Sequence, residues 1–341
     1  MKHLFYILLL MFTAASLSAD TRIDFLLGDV KIQPQGTASW QNAESGRAVR
    51  TGDTMQTGKK SFAVINADGN SIKIQANTKV RFTQDFIDNR QQSSLALFGG
   101  SVNCKMDRLK KNNNGYNVNT ASSVCAVRGT EFDVAASADG KTILQVTEGT
   151  VALSGTKKSV DVSGNQESSV RIGGEPEPVK IVKRQDWEKW ADETGSDVRG
   201  KEKDIIDGCL VKMQKLDSDI IQLERESAAE KSKSDELKKQ SADAKKAGDN
   251  EKAMKLAGEA EKIFRSSSSL KNKACYQSSR MELVKSVADN AYNSSEKKNF
   301  LDKPYRQINR IYDKYFIKYI KSILDSAKLR QEIMDNKKKK K

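Results

Sequence analysis

The chain has 341 residues, 37% of them hydrophobic, with 59 Lys and Arg against 45 Asp and Glu and a formal net charge of +14. That is enough chain for two or three domains and enough apolar material for a packed core, and it argues against a multi-span membrane protein. His3 is the single histidine. It lies in the N-terminal segment expected to be removed on export, so Ser-His-Asp and Cys-His nucleophile systems, and the common His-containing zinc and non-haem iron sites, are excluded from the mature chain.

Residues 1–19 carry Lys2 and His3, an apolar run from Leu4 to Phe12, and small residues through Ser16, Ser18 and Ala19. This is the layout of a secretory signal peptide, so the protein is expected to be exported, with a mature chain starting near Asp20. The apolar run falls short of the roughly 20 residues that cross a bilayer, and no cysteine follows it to take a lipid.

From Thr21 to Val182, short apolar runs alternate with glycine turns: Phe62 and Val64, Ile72 and Ile74, Val80 and Phe82, Leu95 and Leu97. Sixteen of the 21 glycines and three of the four prolines fall in this portion, as many short strands joined by tight turns require. Later runs at residues 151–153, 160–162 and 170–172 extend the pattern. An all-β roll or sandwich over residues 20–172 is expected. Residues 52–61 imitate a phosphate-binding loop, but five residues separate Gly52 from Gly58 where that motif has four, and a strand follows where it needs a helix. They read as a turn.

Cys104, Cys125, Cys209 and Cys275 lie in a chain expected to meet an oxidising compartment. Cys104 and Cys125 flank the polar loop 110–115, and a cross-strand bridge between them is expected to add about 3 kcal/mol. The alternative is a pair of buried free thiols. With no C-x-x-C spacing, no metal site is expected, and nothing calls for a cofactor.

Residues 127–134, Val-Arg-Gly-Thr-Glu-Phe-Asp-Val, alternate Phe132 and Val134 with Glu131 and Asp133, a half-buried strand. Asp139-Gly140 supplies a hairpin turn, and Glu148-Gly149-Thr150-Val151 closes the unit. Together with Gly28-Asp29, Thr57-Gly58 and Asp68-Gly69 followed by Ile72, these motifs resemble the FecR-type periplasmic domain over roughly residues 22–165. In family members of that type the domain belongs to a membrane sensor that relays an outer-membrane receptor's iron-chelate occupancy to a cytoplasmic sigma factor. This chain shows neither a cytoplasmic segment nor a full transmembrane helix ahead of the domain, so a direct relay is not expected. Arg128, Thr130, Glu131 and Glu148 are candidates either for cross-strand pairing or for a recognition edge that takes another protein's strand.

Residues 173–182, opening Gly-Gly-Glu-Pro-Glu-Pro, read as a linker, and residues 183–336 as helical. Ile206, Leu210, Met213, Leu216, Ile220 and Leu223 make one apolar helical stripe, which then fades between Ser227 and Ala247 into a solvated, weakly held stretch. Gly248-Asp249-Asn250 is the natural turn into a second near-heptad stripe from Ala253 to Ala291, giving a long antiparallel helical hairpin or coiled coil. A straight hairpin keeps Cys209 and Cys275 apart; a break in either helix, or pairing between chains, would be needed to join them. Asp302 and Pro304 start a third helix with a tyrosine face. Arg306, Arg310, Lys314, Lys318, Lys321 and Lys328 on that helix are candidates for binding a polyanion, and the run 337–341 reads as a disordered lysine tail.

The expected function is that of a non-enzymatic, exported envelope protein: a FecR-like interaction or ligand-binding module with a helical scaffold. A periplasmic sensing component that regulates a separate membrane partner is the alternative, and a carboxylate-based wall-glycan enzyme a distant third. The expected partners are an envelope protein, an anionic envelope polymer or a lipid surface, with no nucleic acid, and a homodimer through the helices is compatible with the fading stripe.

Overall fold

The computed structural model describes residues 21–67, 69–87, 90–106, 116–127, 129–182, 186–187, 189–190 and 198–320. Residues 1–20, read above as a signal peptide, the loop 110–115, Arg128, Lys321, Lys328 and the lysine run 337–341 lie outside the described residues.

Two sheets share one long strand. The first runs β1 (Arg22–Leu27), β5 (Phe62–Ala67), β6 (Asn70–Ile74), the later half of β8 (Arg90–Lys105), β11 (Glu131–Ala136), β12 (Thr142–Glu148), β15 (Gln166–Val170) and β16 (Lys180–Ile181), antiparallel throughout. The second runs β3 (Gln41–Asn42), β2 (Val30–Gln33), β4 (Thr54–Thr57), β7 (Lys79–Ile87), the earlier half of β8, β9 (Tyr116–Asn119), β10 (Val124–Val127), β13 (Thr150–Ser154) and β14 (Ser159–Ser163), with β8 and β9 parallel. Strand β8 crosses from one sheet to the other at Gly100, where φ is +91° and a Cβ would stand 2.5 Å from Thr78 Cα. Only glycine turns that corner.

Alternation decides which residues are enclosed. Phe132 and Val134 point inward with Ile72, Ile74, Val102 and Leu144, to meet Ile32, Met55, Leu95, Val118 and Leu153 of the other sheet, all fully buried. Cys104 and Cys125 belong to these inner faces and are free thiols. The expected bridge is thus corrected: Cys104 pairs in register with Ile72 and Phe132, and Cys125 with Val118 and Leu153, so β9 lies between their strands and they are not cross-strand neighbours. Burial pushes Cys104 well above its ordinary value and Cys125 up to about 12, which keeps both thiols protonated and unreactive.

Residues 173–182 do not form a free linker. Glu175 accepts from the backbone N–H groups of Lys157 and Lys158, Val170 bridges to Pro176, and β16 adds a last strand beside β15.

Three long helices follow among the described residues: α1 (Glu202–Lys246), α2 (Asn250–Ser294) and α3 (Asp302–Tyr315), the last continued by a π-helical turn, Phe316–Ile320. The first two have 45 residues each, about 68 Å, and form the expected antiparallel hairpin about Gly248, with Asp249 capping α2 through the N–H of Lys252. The fading of the stripe expected between Ser227 and Ala247 is corrected: contact with the facing helix continues there. The stripe changes chemistry. Ser227, Ser234 and Ser241 continue the heptad of Ile206, Met213 and Ile220, and each lies against α2: Ser227 and Ser267 donate reciprocally to each other's carbonyls at 2.9 and 2.8 Å, Ser234 donates to Ala260 at 2.8 Å, and Ser241 to Ala253 at 2.7 Å. Small residues on both helices let the backbones approach, and each serine hydroxyl satisfies a carbonyl of the facing helix.

The register is constant along this seam, Ser227 facing Ser267, Ser234 facing Ala260 and Ser241 facing Ala253. It places Cys275 opposite Asp219 and about 15 Å from the level of Cys209, so the two thiols remain apart. Filling the small-residue seam should open it: Ala260→Leu is expected to cost about 1–3 kcal/mol and to speed amide exchange across residues 234–260 while residues 205–220 stay protected.

Candidate functional site

The base of the hairpin is fastened to the β module where backbone meets backbone. A Cβ on Gly208, inside α1, would stand 2.4 Å from the carbonyl oxygen of Ile172, and one on Gly173 would stand 2.5 Å from the carbonyl oxygen of Gly208. Beside this contact, the buried Lys212 donates from Nζ to the carbonyls of Ser122 (2.9 Å) and Gly155 (3.0 Å). Desolvation pulls the Lys212 ammonium down to about 7; Arg280 and Lys215 push the same way, against Glu175 and Asp219. Tyr276 donates to Asn119 Oδ1 at 2.6 Å, and Arg81 pairs with Glu282 at 2.5 Å. Val287, Ile172, Phe98 and Ala138 fill the space between.

Next to the joint lies a cleft of roughly 700 Å³, walled by β4, the turn into β7, the bend of β8 and the exposed side of α2. Its floor is made by a bulge. Lys79 pairs with Gly99 and Val80 with Leu97, so Phe98 is the extra residue. Lys59, Lys79, Asn77, Asn290 and Trp190 stand around it, and none of the described lining residues is a carboxylate. Asn77 holds φ at +53°, a left-handed conformation uncommon outside glycine.

The outer face of the first sheet carries a polar row in strict register: Lys73, Asn103, Asp133, Gln145, Glu167 and Lys180. Gln145 donates to Glu167 at 2.7 Å, and Lys180 pairs with Glu167 at 3.2 Å. Burial raises Asp133 to about 6; hydrogen bonds from Asn103 and Trp187 oppose that rise, and Glu131 adds to it. Because this folded value exceeds the ordinary 3.8, the folded state binds the proton more tightly, and Asp133 contributes stability that is lost as pH rises from about 4 to 6. Asp133→Asn should therefore raise stability at pH 7.5 by about 1–2 kcal/mol and flatten the acid limb of a denaturation profile taken from pH 4 to 6.

The residues read as a recognition edge do not form one. Strand β11 is central, hydrogen-bonded to β8 on one side and β12 on the other, which leaves no backbone free for an added strand. Thr130 is buried, Glu131 pairs with Lys105 at 3.2 Å, and Glu148 lies directly opposite Glu131. Arg128 is outside the described residues.

The tyrosine face of α3 packs on the hairpin, and its flanking cations are engaged there. Lys314 and Tyr315 both donate to Asp217, at 2.9 and 2.7 Å, while Lys318 and Tyr319 donate to Glu224. Arg306 pairs with Asp302 at 3.5 Å, and Arg310 is exposed. Of the residues proposed for a polyanion, Lys314 and Lys318 thus serve the helix packing.

Sequence reasoning missed Lys212, Gly208 and Lys79. Lys212 had left a signal: it follows Cys209 by three residues and precedes Leu216 by four, so it sits on the apolar stripe where a charge needs a partner.

The profile of the FecR protein family matches residues 53–152. Among curated proteins none matches. Two crystal structures of a "putative anti-sigma factor" from Parabacteroides distasonis ATCC 8503, at 2.50 and 1.65 Å resolution, are similar at 19% identity and a TM-score of 0.34. Each similarity covers 41% of this chain, and the chain spans 64% and 65% of those proteins.

Proposed function

Residues 53–152 form a FecR-type domain, and from that premise we propose that the protein is a non-enzymatic, exported envelope component that receives a ligand on its β module and presents its helical hairpin to a partner protein. The joint carries this reading. Backbone contact at Gly208 and Gly173, the buried Lys212 and the Arg81–Glu282 pair fix the base of a hairpin about 68 Å long to the module. A projection fixed at its base and exposing Met254 and Phe264 towards its far half is suited to reach another molecule. A periplasmic sensing role, in which ligand occupancy alters a separate membrane partner, is supported by the family to which the domain belongs and by the adjacency of cleft and joint.

The test is photo-crosslinking in intact cells from an unnatural amino acid at Met254 or Phe264. A discrete protein adduct from the hairpin, absent when the probe sits at Lys157 on the β module, is the expected result; equal labelling from all three positions would remove the presenting role. Adduct yield that changes with a ligand of the β module would select the sensing form.

A further inference from the structure

The cleft beside the joint has the composition of a ligand site, and its floor shows why. Gly99 is not held to glycine by its own packing: a Cβ there meets nothing within 4 Å, and its φ is not in the left-handed range. The bulge at Phe98 sets this bare backbone at the bottom of a cleft of roughly 700 Å³, within the size range of small-ligand sites.

The surrounding chemistry narrows the occupant. Lys59 and Lys79 carry no ion pair among the described residues, and Lys79 lies over the rings of Phe98 (5.4 Å) and Trp40 (6.0 Å). Two cations without an ion pair, and no carboxylate among the described lining residues, favour an anion. Asn77 and Asn290 each offer both donors and acceptors, the complement of hydroxyl groups, and Trp190 and Phe98 offer apolar ring surface. A peptide held by strand addition is disfavoured, because β4, β7 and β8 are each paired on both sides.

We propose that this cleft binds an acidic oligosaccharide, its anionic groups between Lys59 and Lys79 and its hydroxyls on Asn77 and Asn290. The proposal rests on the reading of the β module as the ligand-receiving half. Since Val287 of α2 belongs both to the cleft and to the packed joint, an occupant would touch both halves of the molecule.

The experiment is calorimetric titration of the mature chain with trigalacturonate, its neutral methyl ester and a glutamate oligopeptide of equal charge. Trigalacturonate is expected to bind, with affinity that falls as salt is raised; the ester should bind about tenfold more weakly and the peptide more weakly still. Gly99→Leu fills open space, so it should melt as the wild type does and lose binding. Lys79→Gln, on an exposed position, should cost about tenfold in affinity and tests the site independently should Gly99→Leu not fold. Absence of trigalacturonate binding, equal binding by both variants, or tighter binding of the peptide would each overturn the assignment. A cleft that stays empty while hairpin adducts persist would remove the ligand and leave the partner-presenting half standing.

Discussion

Gly208→Ala is expected to destabilise the protein by about 2–3 kcal/mol, although alanine inside a helix ordinarily stabilises it by up to about 1 kcal/mol. The opposition of sign isolates the joint. At Gly208 the added methyl would sit 2.4 Å from a backbone oxygen and 2.9 Å from the Ile172 side chain, and since both neighbours are held in place, α1 must move away. Gly258, inside α2, provides the control, because a Cβ there meets nothing within 4 Å. Gly258→Ala should stabilise by roughly 0.5–1 kcal/mol. Chemical denaturation of the two variants reads both numbers. Loss of a single cooperative transition in Gly208→Ala alone would show that the contact couples the halves; parallel stabilisation in both variants would show that the backbone contact carries no energy.

Stability should rise by about 3 kcal/mol between pH 7 and pH 10 through Lys212, and Lys212→Met should abolish that rise. The folded value of about 7 lies below the unfolded 10.5. Between them the unfolded chain holds more proton, so each step up in pH favours the fold. Methionine keeps the aliphatic stem and removes the charge, but it leaves the carbonyls of Ser122 and Gly155 without their donor, at about 1–3 kcal/mol. Near pH 7 the two effects offset, and the variant should melt close to the wild type there while diverging in alkali. Equal alkaline profiles for the two proteins would place the lysine in water. The same group makes the joint tightest when neutral, so mild acidification should loosen the hairpin from the module before the β core fails.

Much of the β architecture was legible because inward and outward residues alternate along its strands: Phe132 and Val134 against Asp133, Ile72 and Ile74 against Lys73. The turns were legible because glycine and aspartate mark them. The hairpin was legible from its two stripes and from Gly248. What misled was chemistry that periodicity does not display. Ser227, Ser234 and Ser241 keep the heptad while abandoning hydrophobicity, so a stretch that looked solvated is the seam of two long helices. Lys314 and Lys318 looked like a free cationic face, yet they meet acidic residues 97 and 94 positions earlier in the chain.

By itself, then, the sequence determined the local periods, the turns, the family resemblance and the absence of imidazole chemistry beyond His3, since each of these is written in neighbouring residues or in composition. Only the tertiary structure decided that Cys104 and Cys125 lie on different sheets, that β11 is central and cannot serve as an edge, that residues 173–182 fold onto the module, and that Gly208, Lys212 and Gly99 gather around one joint and its cleft. The physical reason is range: those facts depend on which distant backbone segments come within hydrogen-bonding or van der Waals reach, and no local pattern encodes that.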